Sequence, residues 1–217
     1  MKKIFTLIAM AVMAVSVNAQ TISWGADDVC SGGAKESYSS GELVLSCVDG
    51  NKKHAVEANS QYFGTADSYD NYGYRFKTGG KSNSKNSLKL SVPAAGTLII
   101  AVRSASSSDE TRTLVLTQNG TELYNDVVKD SNAETATIEG AEKKVFPYVT
   151  VKVQKGDIDI EYPIGALNFY AFIFEDTTGV SSVKAEKANA ASYNLGGQQV
   201  KSSAKGLVIK NGKKIAQ

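Results

Sequence analysis

The sequence predicts an all-β protein, an antiparallel β-sandwich of jelly-roll type with a small C-terminal β-hairpin tail. Three observations predict it. Alternating apolar and polar residues recur from Gln20 to Asp176, the period that puts successive side chains on opposite faces of a strand. Gly, Asn and Ser punctuate these runs at short, regular intervals. No stretch shows the spacing of an amphipathic helix.

In chain order, Lys2 and Lys3 come first, then the apolar run Ile4 to Val17, then Val17-Asn18-Ala19. This is the order of a secretory leader, with cleavage leaving Gln20 at the new N-terminus. The apolar run is too short for a transmembrane anchor, and no other run reaches the ~18 apolar residues a span needs. No Cys follows the cleavage point, so a lipid anchor is not supported. Residues 1–19 are therefore expected to be a signal peptide, and the protein to lie outside the inner membrane.

Glu42 to Val48 alternates as a strand, and Gly73 to Lys77 sets Tyr74 and Phe76 against Arg75 and Lys77. Ser87 to Val92 buries Leu88, Leu90 and Val92, whereas Gly96 to Arg103 is more continuously apolar, as a central strand covered on both faces should be. Thr111 to Thr117 and Thr121 to Tyr124 flank Asn119-Gly120, a hairpin turn signal. Lys144 to Val153 reads as one strand with Pro147 at an edge or bulge. Asp157 to Tyr162 and Leu167 to Phe174 close the set. The sandwich is expected over 20–176, a linker over 177–190 and a tail over 191–217.

Composition bounds the partners. The chain holds 24 Lys+Arg and 22 Asp+Glu. Loss of Lys2 and Lys3 leaves the two signs balanced, which argues against nucleic acid as a partner. The two cysteines, Cys30 and Cys47, form an even pair in an exported chain, which favours a disulfide; two buried reduced thiols are the other reading.

The catalytic inventory is thin. The single histidine, His54, sits in the polar stretch Asn51-Lys-Lys-His-Ala and reads as an exposed structural residue. Asp157, Asp159 and Glu161 line one face of a strand, the pattern of a half-solvated strand more than of a glycosidase pair. Trp24 reads as a core plug. The segment Gln61 to Tyr74 packs Tyr62, Phe63, Tyr69, Tyr72 and Tyr74 among Asp67, Asp70 and Asn71. Aromatic faces stack on sugar rings while Asp, Asn and Arg bond hydroxyls, so a loop with both is a candidate sugar platform. The bland reading makes Phe63 and Tyr74 core and the other tyrosines loop packing. Tyr62, Tyr69, Asp70, Asn71 and Tyr72 are the candidate binding residues, with Arg103 and Arg112 as further polar contributors. The same acidic segment could hold Ca²⁺ through oxygen ligands, though it lacks the EF-hand spacing.

Two resemblances add to this reading. Phe76-Lys-Thr-Gly-Gly80, a strand, then Leu98 to Leu116 with its Ser-rich loop after Arg103, and a final aromatic strand Leu167 to Phe174, are similar to β-sandwich modules attached to pectate lyases and other secreted polysaccharide-active proteins. No lyase catalytic domain accompanies them in this chain. The end of the chain, Tyr193-Asn-Leu-Gly-Gly-Gln-Gln-Val200 then Lys205 to Gln217, resembles the short C-terminal tails of exported proteins of Bacteroidota-type Gram-negative bacteria, a reduced form of the type IX secretion sorting domain. It implies secretion or attachment at the outer cell surface, with the secretion machinery as a partner. The expected function is non-catalytic binding of a polysaccharide or cell-surface glycan. A structural or adhesive surface protein is the second reading, and a lyase or glycosidase accessory the third.

Overall fold

The computed structural model describes residues 19–176 and four short strands between 192 and 216. The expected leader and linker lie outside the described residues. The chain divides into two compact units, Met1–Gly179 and Val180–Gln217.

The first unit is a β-sandwich. Its strands are Gln20–Ser23 (β1), Ser37–Ser40 (β2), Leu43–Asp49 (β3), Ala55–Thr65 (β4), Ser68–Lys77 (β5), Asn86–Val92 (β6) and Gly96–Ser104 (β7). Then come Thr113–Gln118 (β8), Thr121–Val127 (β9), Glu134–Ile138 (β10), Ala141–Phe146 (β11), Val149–Val153 (β12), Gly156–Glu161 (β13) and Leu167–Asp176 (β14). The eight-stranded sheet runs β10-β11-β4-β5-β14-β7-β12, with β1 also on β14, and the six-stranded sheet runs β2-β3-β6-β13-β8-β9. Within them, β5-β14-β7-β12 faces β6-β13-β8-β9. That is the jelly-roll order expected from the sequence, with successive strands switching sheets except at the β8–β9 hairpin.

Alternation explains the core between the sheets. Leu43, Leu45, Leu88, Leu90, Ile158 and Ile160 point in from the six-stranded sheet, and Phe76, Ile100, Val102, Phe169, Phe172 and Phe174 meet them. Each large apolar side chain so buried contributes roughly 1.5–3 kcal/mol. Trp24 plugs one side of this core against Tyr38, Phe76 and Phe172, as its type suggests.

Turn chemistry sets the hairpins. Asn119 and Gly120 (φ 52° and 74°) form the two-residue turn between Gln118 and Thr121 that their identities predict. Glu139 and Gly140 (φ 53° and 79°) do the same between β10 and β11, with a less suited first residue. In the Lys-Thr-Gly-Gly turn, Gly79 has φ 69° and a Cβ there would lie 2.3 Å from the Lys53 carbonyl oxygen. Beside it the Thr78 hydroxyl accepts from the Leu167 amide at 3.1 Å, tying the turn to the start of β14.

Four expectations need correction. The run through Pro147 is two strands, because a residue without an N–H ends the ladder: β11 pairs with β10 and β4, β12 with β7. The tyrosine-rich segment is not a loop but a long hairpin, β4–β5, turning at Ala66 and Asp67. His54 is buried, at 1% exposure. Its Nε2 and the Tyr162 hydroxyl both meet Asn86 Oδ1, so a polar network, not solvent, satisfies that edge of the ring. Cys30 and Cys47 are free thiols. Cys30 Sγ donates to the Asp28 carbonyl at 3.0 Å, while Cys47 points inward along β3 after Leu43 and Leu45.

The second unit is a four-stranded antiparallel sheet of Ser192–Tyr193 (β15), Gln199–Val200 (β16), Leu207–Lys210 (β17) and Lys213–Ala216 (β18), in the order β16-β15-β17-β18. Lys210 pairs with Lys213, the register of a two-residue connection, and Tyr193 pairs with Ile209, so the two expected hairpins join in one sheet. Asn211 and Gly212 themselves lie outside the described residues.

Candidate functional site

The site begins with a hairpin that leaves its sheet. β5 pairs with β14 only at Lys77–Asn168 and Phe76–Phe169. Beyond that point β1 takes the same edge, at Ala171 to Phe174. The distal half of β4–β5 packs Phe63 and Tyr72 onto Tyr170, Ala101 and Ala171, on the side of β14 and β7 away from the main core. A bulge between Phe169 and Ala171 lets two consecutive residues, Tyr170 and Ala171, face that side. Strand β11 flanks the hairpin in parallel, with Phe146 beside Phe63.

Cross-strand partners share a face. Phe63 pairs with Asp70 and Gln61 with Tyr72, whereas Tyr62 pairs with Asn71 and Gly64 with Tyr69. The expected platform is therefore split. Asp70 and Tyr72 lie on the Phe63 face. Tyr62, Tyr69 and Asn71 lie on the other, where Tyr62 and Tyr69 meet edge to face at 5.6 Å and Asn71 donates to Ser60 Oγ at 2.8 Å. Tyr62 also packs against Ala136, Ile138 and Val145. Arg112 is elsewhere: it donates to Asp109 and, at 2.7 Å, to the Ala166 carbonyl, clamping two loops.

What gathers around Asp70 and Tyr72 is Tyr148, which the sequence reading missed. Its hydroxyl donates to Asp70 Oδ2 at 2.8 Å and lies 3.1 Å from the Tyr72 hydroxyl. Burial pushes the Tyr148 phenol far above its usual range and that of Tyr72 upward, so both stay protonated donors. Pro147 is the signal that could have found it, since a residue just after a strand break is free to turn toward a neighbouring element.

Tyr148 also borders a cavity of about 80 Å³ lined by Arg103, Phe146, Lys129 and Asn132 among others. The Arg103 guanidinium lies 4.5 Å from the Phe146 ring centroid and pairs with Asp130, which is buried in a short 3₁₀ turn before β10. Beside them Tyr170 donates to Asn59 Oδ1 at 2.6 Å, and burial lifts its phenol to about 12. Glu57 holds Arg75 and Lys77 together at the proximal end, and the Arg75 hydrogen bond keeps its carboxyl below the usual range. This arrangement offers stacking faces and fixed hydrogen-bond donors and acceptors, the equipment of recognition.

A second concavity, of about 650 Å³, lies on the outer face of the six-stranded sheet, lined by Ser46, Lys89, Thr117, Asp159 and Glu161 among others. Lys89 spans Asp157 at 3.8 Å and Asp159 at 3.4 Å, so these carboxylates are solvated and ion-paired. Among the described residues no group of three His, Cys, Asp or Glu is placed to hold a metal ion, and no helix is long and apolar enough to cross a membrane.

No family model and no curated protein matches the chain. Solved structures resemble it in shape. A chain from the Ruminococcus flavefaciens cellulosome, described with an expansion in glycan recognition, aligns at TM-score 0.38 and 9% identity, covering 73% of this chain and 93% of that one. The K2 cleaved adhesin domain of Lys-gingipain aligns at 0.39 and 12%, covering 72% and 97%. The catalytic unit of a GH87 α-1,3-glucanase from Streptomyces thermodiastaticus aligns at 0.33 and 16%, covering 67% of this chain and 28% of that one. These are likenesses of shape alone.

Proposed function

We propose that the protein is an exported, non-catalytic glycan-binding module. The observation that carries this is the Tyr72–Tyr148–Asp70 hydrogen-bonded group, whose Tyr148 borders the cavity beside Arg103. Half-buried aromatic rings with fixed hydroxyls, a carboxylate and a guanidinium make a small apolar surface with a few oriented polar groups, as sugar sites require. The leader pattern at 1–19 and the basic, turn-rich tail at 191–217 support export and attachment at the outer surface of a Gram-negative cell.

Affinity electrophoresis of the mature chain through gels carrying different polysaccharides tests the binding. Retardation by one of them, lost in Tyr148→Ala, is expected. A protein that reaches the cell surface and is retarded by none is a structural or adhesive protein. Deletion of residues 191–217 tests the tail: the protein should then accumulate in the periplasm, and unchanged surface delivery would remove the sorting role.

A further inference from the structure

We infer that the cavity beside Tyr148 is the seat of an acetyl substituent, and that the glycan recognised is therefore an acetylated one. The inference rests on the glycan-binding reading above and names its ligand class.

The cavity lies where the end of β9 and the turn before β10 meet the chain that joins β11 to β12. Val102, Val128 and Phe146, all buried, line its interior, with Val149 half-buried. Lys129, Asn132 and Pro147, also on its lining, are exposed, so it opens to solvent. Its volume of about 80 Å³ has room for a few water-sized groups and not for a sugar ring. What enters is a short substituent, and the ring that bears it stays outside against Tyr148, whose hydroxyl Asp70 already fixes.

The lining selects the substituent. Its polar side chains, among them Arg103, Lys129, Asn132 and Tyr124, can all donate, and no carboxylate lines the cavity. Among the described residues the Asn132 amide and the Tyr124 hydroxyl have no hydrogen-bond partner, and the Lys129 ammonium has no ion pair. An apolar interior edged by donors matches a group that ends in a methyl and carries a carbonyl oxygen, an acceptor alone. An acetyl is a small group of that kind that sugars carry. A bare hydroxyl leaves the valines and Phe146 facing water. A free amine brings an ammonium against Arg103 and Lys129. A carboxylate is of similar size, but apolar walls would strip its water. Asp130 already neutralises Arg103, so little charge is left to repay that loss. Lys129 is the group that would favour a carboxylate, so an acidic polymer belongs in the test.

The test is affinity electrophoresis of the mature chain in gels carrying acetyl-xylan, the same xylan deacetylated by mild alkali, glycol chitin, glycol chitosan, β-glucan, mannan or polygalacturonate. Stronger retardation by an acetylated polymer than by its deacetylated counterpart is expected. Glycol chitin in that role assigns an N-acetyl group, and acetyl-xylan an O-acetyl group. Equal retardation with and without acetyl, or retardation only by polymers that lack it, overturns the inference and leaves glycan binding standing; retardation by none overturns both. Asn132→Asp, at an exposed position, exchanges a donor amide for a carboxylate of the same size. It should weaken binding to the acetylated polymer about threefold to tenfold, the worth of one hydrogen bond. Val127→Phe, on the cavity lining at the end of β9, fills the space and should erase the preference for acetyl while weaker binding of the ring persists. A preference unchanged in whichever of these variants folds overturns the proposal.

Discussion

His54 Nδ1 lies 4.0 Å from Asp49 Oδ2, close enough to attract and too far to hydrogen-bond, and the His54 side chain is wholly buried. Asp49 spends its carboxylate on the Lys53 and His54 amides, at 2.9 and 2.8 Å. Nδ1 therefore has no hydrogen-bond partner among the described residues. Burial lowers the His54 pKa from its ordinary 6.5, against the opposing pull of Asn86 and Asp49. The folded state thus binds this proton less readily than the unfolded chain. Its contribution to stability is complete above the unfolded value and shrinks as pH falls below 6.5 toward the folded one. Thermal melts between pH 7.5 and 5 should show a loss of up to about 1.4 kcal/mol per pH unit, which His54→Gln flattens. An unaltered slope in that variant would assign the acid sensitivity to carboxylates.

Glu139 occupies the first position of a type I′ turn at φ 53°, where the β8–β9 turn uses Asn119. Left-handed backbone is costly for a residue with a long side chain and mild for Asn. Glu139→Asn should stabilise the protein by about 0.5–1 kcal/mol, read as a rise of a few degrees in melting temperature.

Gly79→Ala should do the opposite. Its backbone is left-handed, and the added methyl would collide with the Lys53 carbonyl at 2.3 Å. A loss of about 2 kcal/mol or more in denaturant unfolding is expected.

Binding and stability should separate across the hairpin. Tyr72→Ala and Tyr148→Ala should weaken glycan binding by about 1–3 kcal/mol, the range for a lost stacking aromatic in polymer-binding grooves. Tyr69→Ala, on the opposite face, should leave affinity unchanged. Isothermal titration of the three variants decides it, and equal losses in all three would place the sugar around the hairpin tip instead.

The Cys47 thiol is pushed up to about 12, first by burial and then by Asp49 and Cys30 nearby. At pH 8 roughly one molecule in ten thousand carries the reactive thiolate, so alkylation of the native protein should spare Cys47. Rapid labelling of Cys47 would mean that β3 opens at this position.

Much of the fold is legible in the residues, for a local reason. Leu88, Leu90 and Val92, or Ile158 and Ile160, alternate without interruption, and Asn119-Gly120 admits few other turns. The site is far less legible, because bulges and long-range packing build it. The Phe169–Ala171 bulge breaks the alternation of β14 and turns Tyr170 outward. Tyr148 meets Asp70 across 78 positions of sequence, which no spacing rule reveals. The tyrosines of 61–74 attract notice as one cluster, yet pleating sends Tyr69 and Tyr72 in opposite directions. His54 looks solvent-bound among Asn51, Lys52 and Lys53, but its buried partners are distant in sequence, Asn86 at the start of β6 and Tyr162 just after β13.

Gln20 pairs with Phe174, so the first and last strands of the sandwich lie side by side and antiparallel. The polypeptide enters and leaves this unit at neighbouring points on one edge. Such a unit behaves as a cassette: it can be spliced between two adjacent residues of a host protein without prying them apart. It can equally be cut open at a turn such as Asn119-Gly120 and rejoined from Asp176 to Gln20 by a short bridge. Evolution has the same freedom to move it from one chain to another as a finished piece.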